Sequence, residues 1–403
     1  MPRLLAACLT AIAALALASA ASAQNVLVVA PVPGPGVFST DVQTAVDAAL
    51  DGDLVLVKAG TYPGFTITTK SLSVVADTGA AVSIQGPVVV TGLAIPQRAQ
   101  LSGLSIATPY PVTKPGLWIR SNAGGVWVER TTSLGGNGNP GVRIDSSSSV
   151  SLQRGTFTGG LAAFIAFAKG GDGVRVTGSF VALHDVSARG GTGSTGGGPG
   201  SISGGGGAGA NLLDGSIFAS GCTFSGGNGG SNSLPGPGGA GLSLAGPATA
   251  LECSELGGAG GQGGLSNGPP GAAVDDPAFL TTLAGFARHL LAPEPTRALA
   301  PATISVKGLP GEQVGVLYAT TYEPGFLLAG FDEVLFLLTP SVNGLVLGVI
   351  PISGTLDVPL ATPSLPPAAL GTTVFMQCVH FDAPLTYAVL GPPGAWTILD
   401  SSL

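Results

Sequence analysis

Apolar residues along this chain come in short alternating runs and rarely recur at helical spacing. Runs that read as strands occur at 54–57, 65–68, 72–75, 82–84, 88–90 and 101–106, with Gly or Pro between most of them. One stretch departs from this pattern. Val42, Ala45, Val46, Ala49 and Leu50 lie at helical spacing behind Ser39, Thr40 or Asp41, any of which can cap a short helix. Asp51-Gly-Asp ends it, and the first strand of the series follows. Many short strands without helical partners suit a sandwich, a barrel or a solenoid.

A repeat selects the solenoid. The chain restarts five times on a glycine followed by an alternating strand: Gly116-Leu-Trp-Ile-Arg, Gly141-Val-Arg-Ile-Asp, Gly173-Val-Arg-Val-Thr, Gly209-Ala-Asn-Leu-Leu and Gly241-Leu-Ser-Leu-Ala. A second strand recurs in each unit near 125, 150, 180, 217 and 248, and each unit then reaches a Gly-Gly at 135, 159, 190, 226 or 257. Length varies only after the Gly-Gly, as expected of stacked coils whose strands must keep register while one loop grows. The glycine tracts, longest at 190–209 and 226–241, read as poly-glycine loops projecting from one side of the stack. They do not match calcium-binding Gly-Gly-x-Gly-x-Asp repeats, since Gly135-Gly-Asn-Gly-Asn139 lacks the aspartate.

Beyond the repeat the pattern changes. Residues 276–287 read as a linker, and 279–291 is compatible with a helix or with the start of a strand series. From 288 to 403 the glycine tracts stop, and strand-like runs at 288–292, 302–307, 314–319, 325–328, 334–338, 345–350, 354–358, 373–380 and 396–399 make a unit the size of a β-sandwich.

Composition narrows the partners. Charged residues are only 9% of 403, with 15 Lys and Arg against 22 Asp and Glu and a net charge of −7. No basic cluster is present, which argues against nucleic acid and anionic lipid. Residues 1–23 read as a secretory signal peptide: Arg3, an apolar core from Leu4 to Ala18, and Ala21-Ser-Ala23 before the cut. No later run reads as a membrane helix, so the chain is expected to be secreted or held at the cell surface. Cys8 leaves with the leader, and Cys222, Cys253 and Cys378 remain. Cys222 and Cys253 occupy the same position of successive units, so they are either a disulfide or a stacked pair of thiols. No cofactor motif or metal-ligand spacing is apparent.

The segment Val42-Gln-Thr-Ala-Val-Asp-Ala-Ala-Leu-Asp-Gly-Asp-Leu-Val-Leu-Val-Lys-Ala-Gly-Thr-Tyr62 resembles the opening of pectate-lyase-like right-handed parallel β-helix proteins. There a capping helix leads through a Gly-Asp turn into the first strand. The resemblance spans 37–275 and implies an all-β chain: a right-handed parallel β-helix followed by a small β-sandwich domain. Thr373-Val-Phe-Met-Gln-Cys-Val-His-Phe-Asp382 looks like the closing strand of a C-terminal module appended to exported bacterial proteins. The fold family includes pectate lyases, polygalacturonases, alginate lyases, tailspikes and proteins without known activity, so fold alone assigns no chemistry.

A lyase of this fold needs a basic residue beside the uronate carboxylate and positive charge to hold the enolate. A hydrolase needs paired carboxylates. Aligning the units yields two polar columns, Glu129, Gln153, His184, Ser220, Leu251 and Arg130, Arg154, Asp185, Gly221, Glu252. Arg130, Arg154, His184 and Asp185 are therefore the candidate glycan-binding group if they share an exposed face, and otherwise a polar ladder satisfying itself. Trp118 and Trp127 are either an aromatic sugar platform or packing residues. The expected function is an exported structural or adhesive protein that binds polysaccharide or another cell-surface component, with no catalytic residue assigned. The alternative is a polysaccharide lyase or glycoside hydrolase acting on acidic glycans.

Overall fold

The computed structural model describes residues 24–162, 168–195, 201–263, 266–322, 343–366, 369–383 and 387–403, with the backbone of two short strands, Phe326–Leu327 and Val334–Leu335. The signal-peptide segment lies outside the described residues. The first part of the chain is a right-handed parallel β-helix whose described strands form a sixteen-stranded and an eight-stranded sheet. The strand restarts stack in register: Leu117 beside Val142, Val142 beside Val174, Val174 beside Ala210, Ala210 beside Leu242. Alternate residues point inward, so Ile119, Ile144, Val176 and Leu212 form an apolar column with no solvent exposure. Each such side chain contributes about 1.5–3 kcal/mol by leaving water.

The solenoid is longer than expected at both ends. Val26–Val29 pairs in parallel with Asp53–Val57 before the expected start at residue 37. Leu280–Leu283, inside the stretch read as linker and as a helix candidate, stacks in parallel on Ala248–Leu251. Its four residues pair one for one with Ala248, Thr249, Ala250 and Leu251, which makes it a rung and not a helix. The capping helix runs Val42–Ala48, with the Asp41 side chain accepting from Thr44 N at 2.9 Å. Lys70 Nζ closes its other end on the carbonyls of Val46 and Ala49.

The glycine tracts are not free loops. Each runs outward and returns, and the segments bond to one another across coils. Gly191 N donates to Gly171 O, Gly207 N to Gly191 O, Gly227 N to Gly207 O, Gly239 N to Gly227 O and Gly258 N to Gly239 O, all at 2.7–2.9 Å. The preceding amide points elsewhere, Gly226 N reaching Leu256 O on the next coil at 2.8 Å. Neighbouring amides that face different partners, with buried glycines recurring every third residue, describe an extended threefold chain. Packing is so close that a Cβ on Gly227 would stand 2.0 Å from Gly191 O.

The second module places His289–Leu291, Pro301–Lys307 and Thr355–Ala361 in one antiparallel sheet. Thr296–Arg297, Ala388–Leu399, Gly371–Phe381, Gln313–Ala319 and Asn343–Val349 form the other. Leu290, Ile304 and Val306 from the first sheet and Val316, Met376, Trp396 and Ile398 from the second share one core. Among the described residues no helix is long and apolar enough to cross a membrane.

Candidate functional site

The two polar columns stack as the repeat predicts. Glu129, Gln153, His184, Ser220 and Leu251 are successive register partners. The next residue on each coil turns the corner in left-handed backbone, with φ of 48° at Arg130, 48° at Arg154, 54° at Asp185, 64° at Gly221 and 49° at Glu252. Gly103 holds the same place one coil earlier at φ 75°. The structure thus brings Arg130, Arg154, His184 and Asp185 together, but not on an open face.

The second module lies over them. Its segment 287–297 runs along the corner column against the order of the coils. Ala287 N donates to Glu252 Oε2 at 2.8 Å, His289 Nδ1 meets Asp185 Oδ1 at 2.6 Å, and Arg130 donates to Pro293 O at 3.1 Å. Arg297 pairs with Asp77 at 2.9 and 3.1 Å. Six coil steps of about 4.8 Å give about 29 Å, which ten extended residues at about 3.3 Å each can span. Arg154 pairs with Glu129, which is fully buried. Burial draws the Arg154 guanidinium down to about 10 despite Asp185 nearby, and pulls the His184 imidazole down to about 4. Arg130 and Asp185 thus join the solenoid to the second module, and Arg154 and His184 are held beside them.

Trp127 joins the modules too. It is fully buried and meets Tyr322 and Phe375 edge-on, with ring centroids 5.2 and 5.3 Å away. Cys222 and Cys253 sit on successive coils, one residue before the paired Thr223 and Ser254. Both are thiols in the structure, as is Cys378 in the second module.

The other Trp has a different setting. Trp118, Arg143, Arg175 and Asn211 form an outward column on the sheet turned away from the core. Arg120 and Asp145 form the column beside it. The Arg120 guanidinium lies over the Trp118 ring at 4.3 Å and that of Arg143 at 5.3 Å. Asp145 Oδ2 accepts from Trp118 Nε1 at 2.7 Å and from Arg143 Nε at 2.8 Å, which orients both side chains. Buried Asp172 accepts from Arg175 Nε at 2.9 Å, from Asn211 Nδ2 at 3.0 Å and from Ala208 N at 2.9 Å. Lys169 approaches the same carboxylate at 3.8 Å. Arg120 is exposed and has no carboxylate partner among the described residues, while Trp118, Arg143 and Arg175 are half-exposed.

Four cations thus face two carboxylates on this patch, although the chain as a whole is acidic. Sequence reasoning singled out Trp118 but missed its neighbours. The signal was in the repeat itself: the second residue after each restarting glycine reads Trp118, Arg143, Arg175, Asn211 and Ser243. Among the described residues no group of three or more His, Cys, Asp or Glu is placed to hold a metal ion.

No protein-family model and no curated protein matches the chain. Among solved structures, pectate lyase Pel9A is similar over 58% of this chain and 70% of its own, at 16% identity and a TM-score of 0.39. ORF18 of Geobacillus virus E2 is similar over 88% of this chain and 72% of its own, at 10% identity and a TM-score of 0.20. Neither likeness carries an activity to this chain, whose parallel β-helix rests on its own strand register.

Proposed function

We propose that the chain is an exported structural or adhesive β-helix protein that binds acidic polysaccharide, with Trp118, Arg120, Arg143 and Arg175 as its contact surface. The observation that carries this reading is the local excess of cation around a half-exposed indole. The Trp118 ring positions the Arg120 guanidinium that lies over it, and a guanidinium fork matches a carboxylate. Three successive rungs span about 10 Å, the reach of one or two sugar rings. Asp145 and Asp172 hold the Arg143 and Arg175 side chains by their Nε atoms, so their orientation is set before a ligand arrives. Little conformational entropy then remains to be lost on binding.

The test is calorimetric titration of the full chain with polygalacturonate oligomers beside a neutral glucan of equal length. Acidic oligomers should bind and neutral ones should not, with affinity falling as salt rises. Arg143→Ala should weaken binding at least about tenfold, in line with about 1.5–3 kcal/mol for a hydrogen bond to a charged group. Equal affinity for both oligomers, or no effect at Arg143, would overturn the reading. Release of unsaturated uronate ends in the same mixture would replace it with a lyase.

A further inference from the structure

We infer that Cys222 and Cys253 are a disulfide-forming pair that staples the last two full coils of the β-helix. Ser220 pairs with Leu251 and Thr223 with Ser254, and Ser254 N donates to Cys222 O at 2.9 Å. The two cysteines are therefore one strand spacing apart, about 4.8 Å between Cα atoms. Disulfides span Cα separations of about 4.4–6.8 Å.

Side-chain direction agrees. Cys222 Sγ approaches Ser220 O at 3.3 Å and Cys253 Sγ approaches Leu251 O at 3.5 Å. Each sulfur turns back to the carbonyl two residues earlier, and those two residues are themselves register partners. Both side chains thus leave the backbone the same way and pack against the same apolar core. The equivalent residues on earlier coils are Thr131, Gly155 and Val186, so no other sulfur occupies this column. Cys378 lies in the core of the second module.

The two thiols differ in reactivity. Burial raises the pKa of the Cys222 thiol, whereas a hydrogen bond from Cys222 favours the thiolate of Cys253. Cys253 is also the more exposed of the two. It is therefore the attacking sulfur toward an external disulfide, such as oxidised glutathione. Its thiolate bonds to one sulfur of that molecule, whose S–S bond breaks and releases one thiolate. Cys222 then gives up its proton to solvent and attacks the Cys253 sulfur, expelling the second thiol. Two protein thiols and one external disulfide become one protein disulfide and two small thiols.

The staple has a structural consequence. Glu252, beside Cys253, holds the first residue of the segment that the second module lays over the solenoid. A bond to Cys222 fixes that anchor to the coil below it.

The experiment uses the full chain carrying Cys8→Ser, so that Cys222, Cys253 and Cys378 are its three cysteines, reduced and then incubated with oxidised glutathione. Free thiols are counted after unfolding without reductant, and the linked peptides are identified by mass spectrometry. Of the three thiols, one should remain, and a peptide pair joining Cys222 to Cys253 should appear, two hydrogens lighter than its reduced parts. Three remaining thiols, or a link involving Cys378, would overturn the inference. Adding Cys378→Ser to that chain should leave no thiol after the same treatment, and retention of two would equally overturn it.

Discussion

His184 is 1% exposed, and burial holds its imidazole at about 4. An unfolded histidine titrates near 6.5. Between those values the unfolded chain binds more protons than the folded one, so this contribution to stability is complete above about pH 6.5 and is lost as pH falls toward 4. Burial also depresses His380, outweighing the opposing pull of Glu312, and adds to the same window. Glu312 comes next. Burial pushes its carboxyl up, but hydrogen bonds from His380, Arg288 and the Leu309 amide outweigh burial and hold it at about 2. Its contribution is present above about pH 4.3 and lost as pH falls through 2. Denaturant unfolding should therefore show stability falling by at most about 1.4 kcal/mol per pH unit on account of His184 between pH 6 and 4.5, with His380 acting in the same direction. His184→Leu should reduce that slope, and an unchanged slope would contradict the burial argument. The sequence placed His184 in its column. It did not show what covers the column, because the covering residues lie far along the chain.

At the scale of elements, strand restarts, the capping helix and the corner column were all legible. Each depends on residues close in sequence, whereas the left-handed backbone that Gly103, Arg130, Arg154, Asp185, Gly221 and Glu252 share at the corner emerged only in the structure. The cost of that backbone for a non-glycine residue is about 1–2 kcal/mol, which the stacked strands on either side must supply. The glycine tracts were not legible. A glycine run reads alike whether it is a loose loop or a lattice, and only facing glycines on neighbouring coils make it a lattice. Gly227→Ala tests this element, since a methyl there would overlap the Gly191 carbonyl. It should lower stability by about 3 kcal/mol, the upper end of ordinary overpacking. Gly34→Ala, with nothing within 4 Å of its added methyl, should leave the melting midpoint in place. Similar midpoints for both variants would show that the tracts carry no packing.

At the scale of the whole molecule, the second module is bonded to the solenoid through one long face. Trp127, Ala182 and Phe218 from the coils meet Ala319, Tyr322, Phe375 and Ala395 from the module in a single apolar cluster. The ion pair of Asp77 with Arg297 and the contact of Asp185 with His289 also join the two modules. Separation would expose this cluster to water, so the two modules should unfold together in one calorimetric transition. Trp127→Ala should cost about 3–5 kcal/mol, as large-to-small changes at buried aromatics do, and lower that single transition. Two resolved transitions in the parent chain would show that the modules are energetically separate.

The sequence by itself determined the coil. Inward positions had to be apolar at every second residue, and the glycine restarts set which residues stack, so the repeat placed Arg130 beside Arg154 and Cys222 beside Cys253. What only the tertiary structure decided is which outward face meets water. The face that carries Trp118 continues in Arg143, Arg175 and Asn211, and the face that carries Trp127 continues in Ser151, Ala182 and Phe218. The second is covered through contacts such as Asp77 with Arg297, 220 residues apart, and no local pattern records such a pairing. Apolar area buried in the Trp127 cluster favours docking on that face, and the Trp118 ladder, held by its own carboxylates, stays in contact with solvent.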